Sequence, residues 1–562
     1  MFINKNIYVY LGLLLLAFSS CSRSKFAAMN TDPDAVLVID PATELTPGEL
    51  SIHSNNFEVF YDFVRNINPW TQKYVGLTGN SATFQQSGGN INNRWGTFYG
   101  GVGTNLADVM HIIDIMPADK KAQYAFLRAI AGIPYAYYAF YVSDANGSMP
   151  YTQAFRARYT TPPLLTPQYD PQQALFDTLD AQLKAIVAVL KSNPSVNQIL
   201  PGNNDIYYQG NVQNWIKAAN SLRLKIAMRL MKRNPTKLTA IANEVINDPV
   251  GLISSVAEDW VFYAGPGFGN GGNSNPGALC GEINTVSFMW KTQDPRTRIF
   301  YQKSGITSQA MFDSAQAQGQ IPASATWDGQ SYRGQFANPG ASQNPANAAY
   351  FKTLNFSFNG AQQSVNYPSQ IQQTLTYAAY NSNGNGTNVF PVITYADVCF
   401  MRAELAAGGL SSDPLTPAQL YYNGITASIT NYDHWGKTTQ LPDYTPLGSN
   451  EITNYLAQPG VVFDPTHAIE QICVQEYLNF YINPNETWAL IKRTGYPSAT
   501  GAIMPLEDVS TYGAMPRRYS ASYPSLGDLN FNNATQAIDD MRKDPSYGDP
   551  SDITGHVWWD AP

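Results

Sequence analysis

Cysteine, charge and long hydrophobic runs are all scarce in this chain, and each shortage closes off a class of function. The four cysteines are Cys21, Cys280, Cys399 and Cys473. Behind Cys21 their number is odd and no CxxC pair occurs, so neither a disulfide framework nor a thiolate metal site is encoded. Cys399 and Cys473 fall in apolar helical patterns, which reads as buried free thiols. Charged residues make up 14% of the chain, against a usual share of about 25%. With a net charge of −8 and a pI near 5.2, the basic stripe that releases phosphate counterions is missing, and nucleic-acid binding is excluded. His53, His111, His434, His467 and His556 are scattered, with no HExxH, so a zinc site lacks its ligands. There is no GxSxG elbow. Gly267, Gly269 and Gly272 satisfy GxGxxG, but Asn273 to Gly277 cannot open the helix a dinucleotide requires. Asn381, Asn383 and Asn385 imitate a calcium loop without a carboxylate, and its twelfth position is Val392. No cofactor and no metal is expected.

The single long apolar run, Ile7 to Phe18, follows Lys5 and has the length of a signal h-region, too short to span a bilayer. Ser19 and Ser20 lead from it into Cys21, the arrangement of a bacterial lipoprotein signal in which the cysteine becomes the lipidated first residue. Phe18 departs from the Leu usual there, and an ordinary secretory signal with a coincidental cysteine is the alternative. Residues 1–20 are thus read as signal peptide and residues 21–50, with Pro33, Pro41 and Pro47 and no helical period, as a tether. Membrane contact is expected through the lipid alone.

Residues 51–562 form the body, long enough for roughly two to four domains. Aromatics reach 13%, with 35 Tyr and 10 Trp, and neutral polar residues fill much of the rest, a surface suited to neutral polar ligands. Helical signals dominate residues 51–249 and 391–562. Ala122 to Tyr141 reads as a helix kinked at Pro134. Pro171 to Leu190 has Asp170 as N-cap and Leu175, Leu179, Leu183, Ile186 and Leu190 on one face. In Asn211 to Lys232, Trp215, Ala219, Leu222, Ile226 and Leu230 line the core side, and Lys217, Ser221, Lys225, Arg229 and Lys232 are placed in water. Tyr395 to Ala407 and His467 to Tyr481 are two further helices. Between the halves, about 250–390, Gly, Asn, Ser and Gln dominate around aromatic islands such as Trp260 to Tyr263 and Phe288 to Trp290. This region reads as a loop-rich irregular insertion, where binding tends to reside.

Two kinds of site residue stand out. Glu404, Glu470, Glu476 and Glu486 could supply the carboxylate pair of a glycoside hydrolase, although Glu470 and Glu476 fall on different helix faces and read as solvated or structurally paired. Trp70, Tyr74, Trp95, Trp327 and Tyr332 lie in polar, loop-like contexts and could offer flat faces to sugar rings. The alternative for each is core packing, most of all for Trp95, four residues before Tyr99.

Several stretches together resemble one family. Phe126-Leu127-Arg128-Ala129 with Met149 to Phe155 is similar to the "LRA … PYxxAF" signature of SusD-like (SusD/RagB) nutrient-binding lipoproteins. Tyr169-Asp170 matches its "YD" entry, Trp215 to Leu224 its "WxxxANSLRL" helix, and Ile393 to Val398 with Arg402-Ala403-Glu404 its "ITYAE … AEA" helix. Glu470-Gln471-Ile472, Gln475-Glu476, Glu486-Thr487-Trp488, Arg493 to Pro497 and Pro516 to Tyr519 with Tyr523-Pro524 complete the series, and Asn30 to Asp34 points to the starch-binding-associated branch. Lys492 and Asp397 depart from the usual Arg and Glu, and Ser143 to Ser148 interrupt a turn. The resemblance implies a mainly α-helical fold of tetratricopeptide-like helix pairs with a loop-rich ligand face, binding without catalysis, and residence on the outer membrane. It also implies delivery of glycans, or in some branches peptides, to a SusC-like TonB-dependent transporter.

Overall fold

Polar caps and N-terminal prolines start many of the helices, and apolar stripes on several sides hold them together. The computed structural model describes residues 39–80, 84–86, 90–265, 268, 278–376 and 386–562. The signal run, Cys21, Asn30 to Asp34, the GxGxxG glycines and Asn381 to Asn385 lie outside the described residues. The longer helices are α1 (Pro41–Ser51), α2 (Gly103–Asp114), α3 (Ala125–Asn146), α4 (Gln172–Leu190), α5 (Val212–Met228), α6 (Pro235–Ile246) and α7 (Ile283–Lys291), and α1, capped by Asp40 with Leu45 fully buried, corrects the end of the tether reading, which ran to residue 50. After these come α8 (Gln309–Ala317), α9 (Tyr395–Ala407), α10 (Pro417–Thr438), α11 (Ala468–Asn479), α12 (Pro484–Thr494) and α13 (Phe531–Met541). Thr394 and Asp397 form a reciprocal capping box at α9, so the Asp that replaces the usual Glu still reaches the N-cap amide, at 3.0 Å. Thr416 and Gln419 do the same at α10, with Pro417 in the first turn.

Successive helices pack as pairs, α3 with α4, α5 with α6 and α9 with α10. This is the mainly helical, tetratricopeptide-like scaffold expected. The stripe on α4 is Leu175, Phe176, Leu179, Leu183, Val187 and Leu190, with Ile186 half-buried. Asp170 is not its cap. The helix begins at Gln172, while the Asp170 carboxylate accepts from the Tyr151 and Thr152 amides, both at 2.9 Å, and ties the chain back to the segment after α3.

Helix α5 departs further from a one-sided amphipathic reading. Its core stripe is as expected, but Ser221, Lys225 and Arg229 are buried as well. The reason is position: α3 and α4 cover one side of α5 and α9 another, so no face of its middle turns reaches water. The charges are therefore neutralised internally. Arg229 pairs with Asp144 at 2.9 Å and Glu486 at 3.1 Å, and Lys225 lies 3.7 Å from Glu486 and 3.9 Å from Asp397. Arg493 pairs with Glu404 and lies 3.7 Å from Glu476, and Glu470 accepts from the Ile503 amide at 2.8 Å. The four glutamates that could have formed a catalytic pair are thus held inside by structural partners. Cys280, Cys399 and Cys473 are buried free thiols.

Strands occur only as three antiparallel pairs among the described residues: β1 (Tyr74–Gly76) with β3 (Leu279–Gly281), β2 (Trp260–Ala264) with β6 (Asn388–Ile393), and β4 (Thr353–Phe358) with β5 (Ala361–Asn366). The β4–β5 hairpin turns on Asn359 and Gly360, both at positive φ, 50° and 77°. Asn-Gly suits that geometry because it matches the right-handed twist of the flanking strands. Leu354 and Phe356 from the hairpin meet Ile306, Met311, Phe312, Ala315 and Ile321 around α8, a small core of their own. Regular structure within the loop-rich stretch therefore includes a hairpin and two helices. Among the described residues, no helix is long and apolar enough to cross a membrane.

Candidate functional site

Helix α7 builds one wall of an open cleft. Glu282, fully buried, caps it by accepting from the Thr285 amide at 2.7 Å. Thr285, Val286 and Met289 face inward, which leaves Trp290, at the end of the helix, half-exposed on its flank. Tyr332 approaches from the far side, its ring centroid 5.9 Å from that of Trp290 at an interplanar angle of 45°. Between and around them lies a cleft of about 530 Å³, also lined by Lys291, Gln293, Asp294 and Arg298, a size within the roughly 300–1,000 Å³ of small-molecule sites.

The floor is rigid because its charges are consumed. Asp294 and Arg296, both fully buried, pair at 2.7 Å, and Arg296 also donates to Gln475, Ser428 and Tyr455. Arg298 on the rim is oriented by two 2.8 Å bonds to Glu451. Gln293 has a left-handed backbone, φ 56°, unusual for a residue with a side chain, and its side chain is exposed beside the aromatic pair. Burial raises the Tyr332 hydroxyl above its ordinary range, so it stays a neutral donor. Two aromatic rings, an amide and a fixed guanidinium can cover the apolar face of a ring-shaped polar ligand and bond its hydroxyls.

Of the five aromatics picked out by sequence, only Tyr332 lies on this cleft. Trp70 and Tyr74 are each 2% exposed and cannot act as platforms. Trp70 packs 5.4 Å from Trp488 and 6.2 Å from Tyr519, with its Nε1 donating to Gln85 O, and Tyr74 donates to Tyr481 O at 2.8 Å. Both expectations failed because their surroundings come from residues some 400 positions later in the chain. Trp95 is half-buried and packs on Tyr99 and Tyr169, at 5.2 and 6.3 Å, while its neighbour Arg94 is sealed among Glu58, Tyr141 and Asn485. Trp327 joins the hairpin core, 5.7 Å from Phe312 and under the Arg333 guanidinium at 5.1 Å. Trp290, which closes the aromatic island Phe288 to Trp290, is not among the site aromatics that the sequence singles out. The available signal was its place at a helix end beside Lys291, flanked by Gln293.

A family model described as "Starch-binding associating with outer membrane", SusD-like, matches residues 33–524. Solved structures share the architecture. One titled "chitin-binding protein" superposes with a TM-score of 0.68 at 20% identity, covering 93% of this chain and all of its own. A chitin-binding SusD homologue from Flavobacterium johnsoniae gives 0.64 at 17% identity, covering 93% and 98%. A SusD homologue from Bacteroides fragilis gives 0.65 at 19% identity, covering 93% and 100%. No curated protein matches the sequence.

Proposed function

The chain belongs to the SusD-like family, and from that premise we propose that it is a cell-surface lipoprotein that binds glycans and passes them to a TonB-dependent transporter of the outer membrane. The observation that carries the binding step is the Trp290–Tyr332 pair over a rigid cleft, with Gln293 and Arg298 at its edge. The chitin-binding titles of two structural relatives and the starch-binding description of the family make chitin and starch fragments the first ligands to try. Binding without turnover is supported by the placement of Glu404, Glu470, Glu476 and Glu486, all buried inside the body and beside structural partners. Cys21 behind its apolar run supports a lipid anchor.

Titration of the purified chain with chitohexaose and maltoheptaose tests the proposal. Trp290→Ala should weaken the bound sugar by ~1–3 kcal/mol, by analogy with the range for stacking a nucleobase on an aromatic side chain, without changing the unfolding midpoint. Binding of peptides but of neither sugar, or release of shortened sugars, would refute it. Cys21→Ala should abolish membrane retention, and mild-detergent purification should recover a large β-barrel protein with the wild type.

A further inference from the structure

A second cleft, of about 840 Å³, opens where the loop before α5, strand β2 and helix α10 meet, and it shares no lining residue with the Trp290 cleft. Tyr263, 44% exposed, stands in its mouth. The ring is fixed twice: Trp435 Nε1 donates to its hydroxyl at 3.2 Å, and His434 meets it edge-on at 5.9 Å. Deeper in, Asp259 accepts from the Tyr395 amide at 2.6 Å and from Asn431 Nδ2 at 2.7 Å. Around this frame the side chains of Gln209, Asn214 and His434 line the space and take part in no hydrogen bond with any described residue.

The lining says what would fit. It contains neither Lys nor Arg, so phosphate or carboxylate ligands find no counter-charge. Its one carboxyl is already hydrogen-bonded, and no group of three metal-ligating side chains exists among the described residues, so a cation is not served either. Amides, an imidazole and a hydroxyl around a fixed tyrosine ring match a neutral molecule with many hydroxyls and apolar C–H faces. A peptide would bring charges that nothing in the cleft pairs. Burial, opposed by those two hydrogen bonds, pushes Asp259 up to about 8.

We propose that the Tyr263 cleft is a second, independent oligosaccharide-binding site. It goes beyond the Trp290 reading and rests on its own lining. The test is calorimetric titration of the full chain with chitohexaose and with maltoheptaose, comparing wild type, Trp290→Ala/Tyr332→Ala, Asn214→Ala/His434→Ala, and the quadruple variant. Since the Asn214 and His434 side chains have no hydrogen bond to lose, and His434 gives up only its edge-on contact with Tyr263, their removal should change the unfolding midpoint little. Binding that survives Trp290→Ala/Tyr332→Ala should weaken at least about tenfold, 1.4 kcal/mol, on adding Asn214→Ala/His434→Ala. Thr430→Arg, an exposed position on the cleft wall, should block it by bulk. If Asn214→Ala/His434→Ala removes all binding and Trp290→Ala/Tyr332→Ala none, this site stands and the first cleft falls. The proposal is overturned if neither Asn214→Ala/His434→Ala nor Thr430→Arg alters binding. It is overturned equally if no sugar is retained by Trp290→Ala/Tyr332→Ala up to about 10 mM, or if peptides from a casein digest are held at Tyr263 in place of sugar.

Discussion

Replacing Glu486 by Gln tests whether the buried ionic cluster holds the two helical halves together. Glu486, 6% exposed on α12, faces Lys225 on α5 at 3.7 Å and Arg229 at the C-cap of α5 at 3.1 Å. Removing its charge leaves Arg229 with Asp144 and Lys225 with only Asp397, at 3.9 Å, and the Val392 carbonyl. Breaking one partner from a buried pair typically costs about 3–5 kcal/mol. Linkage gives a second route to the same figure. Burial would raise the Glu486 carboxyl, but Lys225 and Arg229 outweigh it and hold it at about 2 against an ordinary 4.5. Such a depression is worth on the order of 3 kcal/mol at neutral pH. Because the folded value is the lower one, this stability is present above about pH 4.5 and is lost as pH falls toward 2. Urea midpoints at pH 7 should therefore fall strongly for Glu486→Gln. Arg128→Gln is the control: its bond to Asp114 is exposed on both sides and is worth at most about 1 kcal/mol. The gap between Glu486→Gln and wild type should close progressively below pH 4.5. Equal midpoints for the two variants at pH 7, or a gap that persists undiminished toward pH 2, would refute the reasoning.

Trp70→Ala should lower stability by roughly 3–5 kcal/mol, as expected for a large core ring, and leave sugar affinity unchanged in protein that remains folded; Trp290→Ala should do the reverse, and melting curves paired with titrations separate them. Gly360→Ala should weaken the β4–β5 hairpin by about 1 kcal/mol, since nothing within 4 Å opposes the added Cβ and the cost is that of a side chain at positive φ. Gly360→Asn should cost less, because Asn tolerates that conformation; limited proteolysis across residues 353–366 reads both.

What the sequence alone determined is the part governed by local periodicity and chain chemistry. The stripe on α4, the bounds of α9, the buried thiols and the ordered motifs of the family were all legible, because each depends on residues a few positions apart. The Asn359-Gly360 turn belonged to the same class and was there to be read. Tertiary structure decided the rest. Lys225 and Arg229 have the spacing of a wetted helix face, yet they lie inside because α9 and α12 arrive from more than 160 residues away. Trp70 and Tyr74 sit in a polar stretch that residues near 480–519 later cover. Trp290 and Tyr332 are over 40 residues apart, and only the folding of a later loop of the insertion back onto the end of α7 makes them a pair. Whether an aromatic ring is core or binding surface depends on what covers it, and that cover is supplied by distant chain whose approach no local pattern encodes.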